Sequence, residues 1–332
     1  MALRALTGIK PTGEPHLGNW LGMIQPALAL ASDHQAYYFV ADYHALTAVH
    51  DAALLRQHTL SISATYLAFG LDPDRSVFYR QSDVPEIFEL AWILACFTPK
   101  GFMNRAHAYK DAVAKNQEAD KDPDHNINMG LYSYPVLMSA DILMFNAHVV
   151  PVGADQKQHV EFARDIAERF NHTYGEPLFT LPEPRIDTQV MTIVGLDGRK
   201  MSKSYDNTIP LFLEEKALQK RINQIVTNSQ APEEPKVPEQ SFLFALHRLL
   251  LTPREEVDLA ERYRAGALGW GQAKKDFFET LNARLEGPRA EYRRLMADPG
   301  HLEAVLAKGK AKARAEAGAF LGKIRKTIGI GG

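Results

Sequence analysis

Two short polar stretches, far apart in a chain of 332 residues, have the residue types and spacing to hold phosphate. The first is Gly8-Ile-Lys-Pro-Thr-Gly-Glu-Pro15, followed by His16-Leu-Gly-Asn19. A strand-like run ends before it and a helix-like pattern begins near His16. Backbone N–H groups at a helix start attract anions, and a histidine there can donate to a phosphate oxygen. Gly18 carries no side chain, so a flat base could approach the backbone closely. Two familiar phosphate loops are excluded. Gly8 and Gly13 have P-loop spacing, but Glu14-Pro15 stands where Lys-Ser/Thr is required, and no Gly-x-Gly-x-x-Gly fingerprint is present. The plainer reading is a capped helix after a turn. The second stretch is Arg199-Lys-Met-Ser-Lys-Ser204. Its two lysines and two serines form a compact polyanion clamp, the ammonium groups acting as point charges. The plainer reading is a solvated basic turn.

Regular elements must bring these stretches together. Leu3 to Thr7 reads as a strand, and the aromatic, β-branched run Gln35 to Ala41 as a buried one. Asp51 opens a helical pattern to about Phe69, stopped by Gly70 and Pro73. Val77 to Arg80 is a short strand and Pro85 to Phe97 a helix. Val149 to Val152 is strand-like and runs through Gly153-Ala-Asp155 into a helix from Gln156 to about Phe170, where Asp155 with Gln158 reads as a capping box. Met191 to Val194 resembles a strand before a tight turn at Asp197-Gly198. Residues 112–128 are polar and aperiodic, and read as an exposed insertion or mobile loop. Strand signals fade after about Tyr205. The alternation predicts an α/β fold, a Rossmann-like doubly wound parallel sheet with helices on both faces, followed by a mainly helical domain. The expected boundaries are 1–205 and 206–332, with the last helix packing back on the first domain. Open parallel sheets bind ligands at the edge where the first polar stretch falls.

Composition narrows the class. The chain is 45% hydrophobic and 23% charged, with net charge −2, so nucleic acid would be met by local patches rather than a uniformly basic surface. No apolar run reaches membrane-spanning length, and the N-terminus lacks the pattern of a signal peptide. The single cysteine, Cys96, cannot form an internal disulfide or a cysteine-rich metal site. The cytoplasm is the expected location.

Pro15-His-Leu-Gly-Asn19 resembles the His-Ile-Gly-His signature of class I aminoacyl-tRNA synthetases, and Lys200-Met-Ser-Lys-Ser204 matches their second signature letter for letter. Order and separation also fit. Asn19 replaces the final histidine, a departure shared by the tryptophanyl members. Val150-Pro-Val-Gly-Ala-Asp-Gln-Lys-Gln-His159 resembles the tryptophanyl Val-Pro-Val-Gly-Glu-Asp-Gln-Lys-Gln-His stretch and differs at Ala154. Tyr134, Met138 and Asp141 would share one helix face, and tyrosyl relatives typically carry Gln at the position of Met138. The likeness is firm over roughly residues 1–210 and looser beyond.

The resemblance implies ATP-dependent activation of L-tryptophan to tryptophanyl-adenylate, then transfer to tRNA(Trp), with Mg²⁺ bound through ATP. His16, Asn19, Lys200 and Lys203 would act on the phosphates, the lysines on a loop whose Gly198 turn should be mobile. The implied ATP contacts are Lys10, Pro11, Thr12, Gly18, Asn19, Gly153, Ala154, Asp155, Met191, Lys200, Met201, Ser202, Lys203 and Ser204. Those to tryptophan are His44, Tyr134, Met138, Asp141, Val150, Val152 and Gln156. Met138 offers a polarizable apolar surface, Asp141 an acceptor for the indole N–H, and Gln156 with Tyr134 a hold on the ammonium. Met138 as plain core and Asp141 as a local cap are the bland alternatives. His44 borders the pocket or is a core histidine. Lys10 stands where many bacterial members have Gln, and Ala154 removes a carboxylate found in many relatives. Residues 98–128 match poorly, which leaves Lys110 uncertain as a phosphate contact.

The family is a homodimer whose tRNA spans both subunits, and it implies no membrane or DNA partner. The helical part would recognise the anticodon. Its basic run, Lys308, Lys310, Lys312 and Arg314 followed by Lys323, Arg325 and Lys326, would contact phosphates or simply form a solvated face. The rival readings are a tyrosyl enzyme, a nucleotidylyltransferase using another acid, and a paralogue with weakened charging that acts as a binding or regulatory partner.

Overall fold

Among the described residues five parallel strands form one sheet in the order β3-β2-β1-β4-β5. The computed structural model describes residues 3–153, 156–186 and 193–331. The strands are β1 (Arg4–Ile9), β2 (Gln35–Val40), β3 (Val77–Arg80), β4 (Val149–Pro151) and β5 (Glu183–Arg185). Between β1 and β2 lie α1 (Leu17–Asn19), a π-helical turn (Trp20–Ile24) and α2 (Gln25–Leu30); α3 (Asp42–Ala45) and α4 (Ala52–Ala68) precede β3. Then come α5 (Glu86–Cys96), α6 (Lys100–Met103), α7 (His107–Glu118) and α8 (Met129–Met144), followed after β4 by α9 (Lys157–Tyr174). The rest is helical: α10 (Glu215–Asn223), α11 (Phe242–His247), α12 (Pro253–Ala265), α13 (Trp270–Ala297) and α14 (Pro299–Ile328). No helix among the described residues is long and apolar enough to cross a membrane.

Strand periodicity explains the layering. Tyr37 and Phe39 point to one face of β2, packing with residues of α5, α8, α9 and α14. Tyr38 and Val40 point to the other, against Ile24, Ala27, Ile62 and Tyr66. Both faces are therefore covered, as a parallel sheet requires. A third core unites Leu17 and Leu21 with Met201 and the helices α10 to α13. The start of the first polar stretch's helix thus belongs to the same packed body as the lysine loop and the helical part.

Three features depart from the sequence expectations. Part of the 112–128 stretch is helix, since α7 covers His107–Glu118 with no buried residue. It buries no face, so it gives little of the amphipathic signal that normally reveals a helix. Asp155, one half of the expected capping box, lies outside the described residues, and Gln158 is engaged elsewhere: its amide donates to the Arg105 carbonyl (3.1 Å) and accepts from the His107 N–H (2.9 Å), while Gln156 is the N-cap of α9. The basic run on α14 is exposed to solvent, yet most of it is already paired. Lys308 pairs with Asp74, Lys310 with Asp83 (3.7 Å), Arg314 with Glu86 (3.0 Å) and Arg325 with Glu89, while Lys312 donates to the carbonyls of Pro73 and Asp74 (3.3 Å each). The helix lies along the edge strand β3, so close that a β-carbon at Gly309 would sit 1.6 Å from the Phe78 carbonyl oxygen. Leu321 and Ile324 bury on the same helix, each contributing about 1.5–3 kcal/mol.

Candidate active site

The two polar stretches meet because the backbone stitches them. Leu17 donates to the Ile209 carbonyl (2.9 Å) and Leu211 to that of Pro15 (3.0 Å), so the chain just beyond the lysine loop runs antiparallel to the start of α1. The lysine loop is a hairpin: Met201 donates to Ile193 (2.8 Å) and Gly195 to Arg199 (2.7 Å). Asn207 braces it by donating to Asp197 Oδ1 (2.7 Å) and the Lys200 carbonyl (3.1 Å) and accepting from the Ser202 N–H (2.8 Å). Gly198 has φ +81°, and a β-carbon there would strike the Phe242 ring at 2.2 Å. The expected mobile turn at Gly198 is thus a braced and packed one. Lys203 reaches back over the first loop, its Nζ 3.1 Å from where a Gly13 β-carbon would stand. Gly13 has φ +136°, a second reason for glycine there.

A cavity of about 470 Å³ opens at the carboxyl ends of β1 and β4 between these loops and α8. Of the residues expected to bind ATP, its wall includes Lys10, Thr12, Gly18, Asn19, Gly153, Lys200, Met201, Ser202 and Lys203, together with His16. Every residue expected to bind tryptophan also lines it: His44, Tyr134, Met138, Asp141, Val150, Val152 and Gln156. Pro11 and Ser204 stand off the wall; the Ser204 hydroxyl meets that of Ser202 at 2.8 Å. Ala154, Asp155 and Met191 lie outside the described residues. Lys110, on the exposed α7, is not part of the cavity.

The cavity is cationic at one end and more apolar at the other, where Met138, Ile142, Val150 and Val152 line it. Burial lowers the affinity of Lys10 and Lys203 for their protons, and an ammonium short of water attracts an anion strongly. His16 is pushed down to about 4, by burial first and by the nearby Lys203 charge second, so it is a neutral imidazole at physiological pH. Its backbone N–H donates to Asn19 Oδ1 (3.1 Å), which fixes the start of α1. The space over Gly18 holds the His16 ring and Met201, whose sulfur accepts the Gly18 N–H at 3.2 Å. Toward the apolar end, the Lys10 ammonium sits 5.0 Å above the Tyr134 ring, a cation–π geometry. The Tyr134 hydroxyl meets His159 Nε2 at 2.7 Å.

Asp141 is fully buried at the base of that end. His44 Nε2 lies 2.9 Å from Oδ2, and the Gln81 amide lies 2.9 Å from both carboxylate oxygens. His44 is thus both a core histidine and part of the cavity wall. Burial raises the Asp141 proton affinity, while its hydrogen bonds to His44 and Gln81 oppose the rise.

The pattern that describes tRNA synthetases class I (W and Y) matches residues 1–286. The chain belongs to this family. It is 54% identical over 330 residues to a tryptophan–tRNA ligase of Neisseria meningitidis serogroup A, covering 98% of both chains. It is 52% identical over 334 residues to one of Pseudomonas aeruginosa, covering 99% of this chain and 74% of that one. A tryptophanyl-tRNA synthetase from Campylobacter jejuni, crystallised with ADP and tryptophan, is similar in structure: TM-score 0.88, 45% identity, covering 99% of this chain and all of that one.

Within this class I synthetase, sequence reasoning missed several residues that build the site. Gln81 has no family motif of its own; its signal is its position just past β3, at the carboxyl edge of the sheet. Asn207 falls beyond the lysine signature, and its role emerges only from the hairpin it braces. His159 ends the 150–159 stretch but turns inward to Tyr134 rather than lining the cavity.

Proposed function

We propose that the chain is a tryptophan–tRNA ligase that activates L-tryptophan with ATP and transfers it to tRNA(Trp), and that the residues gathered in the cavity divide this work. The observation that carries the reading is the single cavity: a cationic end built from two separate loops adjoins an apolar end closed by a buried carboxylate. The named relatives, at about half identity across this whole chain, support the same assignment. The tryptophan carboxylate attacks the α-phosphate of ATP, pyrophosphate leaves, and tryptophanyl-adenylate remains. No protein nucleophile is needed; the protein supplies position and charge. Lys200 and Lys203 neutralise the departing pyrophosphate. Neutral His16 and Asn19 donate to phosphate oxygens without adding net charge. Lys10, between the two ends, is suited to hold the attacking carboxylate or the α-phosphate. Mg²⁺ enters on the triphosphate and shares its charge.

In the apolar end, the indole stacks on Met138 and gives its N–H to Asp141, while Gln156 and Tyr134 hold the ammonium. A tyrosine side chain would leave Met138 facing a phenol hydroxyl with nothing to bond it. The second domain, residues 206–332, takes the anticodon, and the enzyme works in the cytoplasm. It works as a homodimer. Trp92 on α5 is 73% exposed, and beside it Tyr43 packs at a tilt against Phe88, ring centroids 4.3 Å apart, next to exposed Leu46. An apolar patch of that kind marks a protein interface. ATP–pyrophosphate exchange with each of the twenty amino acids tests the assignment, with wild type beside Asp141→Ala. Exchange driven by tryptophan alone, and lost in the variant, is expected. Exchange driven by tyrosine overturns the tryptophan reading, and exchange without charging of tRNA favours the regulatory paralogue.

A further inference from the structure

The base of the cavity holds a polar unit larger than the indole contact needs. Gln81 is completely buried. Its amide is oriented: the oxygen accepts the His44 backbone N–H (3.3 Å), which turns the nitrogen toward Asp141. That nitrogen lies 2.9 Å from both oxygens of the carboxylate. His44 Nε2 adds a second donor at Oδ2 alone. A carboxylate has about four acceptor sites, so Oδ1, with one protein donor, keeps room for another. A buried carboxylate without donors takes up a proton instead, and a protonated carboxyl no longer offers that acceptor.

We propose that Gln81 is a positioning residue for tryptophan recognition: its amide orients Asp141 and keeps it ionised, so that Oδ1 accepts the indole N–H. The proposal rests on the reading of Asp141 as the indole acceptor. Other titratable groups reach the same carboxylate. His44 and Asp42 face it from α3 and Tyr79 from β3. Asp42 is itself held by the Ser82 hydroxyl and N–H, one residue beyond Gln81. Tyr79 carries a buried hydroxyl with no partner among the described residues. Of the described hydrogen-bonding and titratable groups around Asp141, Gln81 alone donates to both oxygens, and it does not titrate.

The test compares tryptophan with β-(3-benzothienyl)alanine, in which sulfur replaces the indole N–H, in pyrophosphate exchange across pH. Wild type favours tryptophan by at least about 100-fold. In Gln81→Met the preference falls below about 10-fold, and the tryptophan KM rises about tenfold or more with kcat nearly unchanged. Removing the donors raises the Asp141 proton affinity, so the acid limb of kcat/KM for tryptophan moves up toward neutral pH. In Gln81→Glu the two carboxyls share one proton near neutrality, and the shared O–H still donates to Asp141. Preference is kept there and lost as pH rises. A Gln81→Met enzyme with unchanged melting temperature and ATP KM that retains both the preference and the acid limb overturns the proposal. So does a Gln81→Glu enzyme whose preference ignores alkaline pH, and this arm decides alone if the methionine variant does not fold. If wild type shows no preference, or Asp141→Asn keeps it, the indole contact itself is wrong and the proposal falls with it. That result is distinct from a failure of Gln81 alone.

Discussion

Lysine 203 carries the sharpest expectation among single residues. It crosses from the hairpin to Gly13, where it faces the loop expected to hold the triphosphate. Charge aimed at a developing anion in a half-dry site is worth more in the transition state than in the ground state. Lys203→Ala should therefore lower kcat in pyrophosphate exchange by about 10²- to 10³-fold, with the tryptophan KM little changed. A change confined to the tryptophan KM would remove Lys203 from the chemistry. The contrast between Lys203 and Gln81 also marks what is legible residue by residue. Lys200 to Ser204 and His16 to Asn19 are read directly, because phosphate chemistry needs a few residue types close together in sequence. Gln81 and Asn207 act on partners supplied by other elements: Asp141 lies 60 residues from Gln81. Local spacing holds no trace of such a contact.

At the scale of elements, α14 shows how a correct pattern can leave out the partners. Its helical spacing and its basic residues are plain in the sequence, and at the surface five of those residues reach across to Asp74, Pro73, Asp83, Glu86 and Glu89. Composition reports charge but not its partner. Exposed pairs of this sort each contribute about 0–1 kcal/mol, so close packing rather than charge should hold the helix. Two glycines on α14 test this with opposite signs. Gly309→Ala forces a methyl into the Phe78 carbonyl and should cost about 1–3 kcal/mol or more. Gly318→Ala meets nothing within 4 Å and should stabilise by about 0.5–1 kcal/mol, since alanine favours helix over glycine. Urea unfolding of both variants gives the measurement; equal effects would show that the helix is not seated on β3. The strands β1 to β4 were legible within a residue or two because each is a short apolar run bounded by turns. β5, Glu-Pro-Arg, was not, having a proline and two charges at the sheet's edge. α7 was lost for the converse reason, since nothing of it is buried.

For the molecule as a whole, stability should depend on acid. His16 and His247 are both pushed from their ordinary 6.5 down to about 4, burial being the larger cause in each. Below pH 6.5 the unfolded chain takes up protons that the folded one refuses. The stability is thus full above 6.5 and falls as pH drops toward 4, each histidine adding a slope approaching about 1.4 kcal/mol per pH unit. His247→Gln can keep the bond to Thr280 while removing one titration, so its melting temperature should fall less between pH 7 and 5 than that of wild type. An equal fall would assign the acid sensitivity elsewhere. Association belongs to this scale too. Trp92→Glu should convert a dimer to a monomer in sedimentation velocity, and an unchanged species would put the subunit contact on another face. The seat of α14 on β3 also has a consequence for synthesis on the ribosome. Lys308 and Asp74 are 234 residues apart, and at roughly 5–20 residues per second the nascent chain waits roughly ten to fifty seconds between making the strand and making its cover. Throughout that interval the edge of the sheet is open to other chains, so the arrival of α14 is also what ends the risk of misassociation.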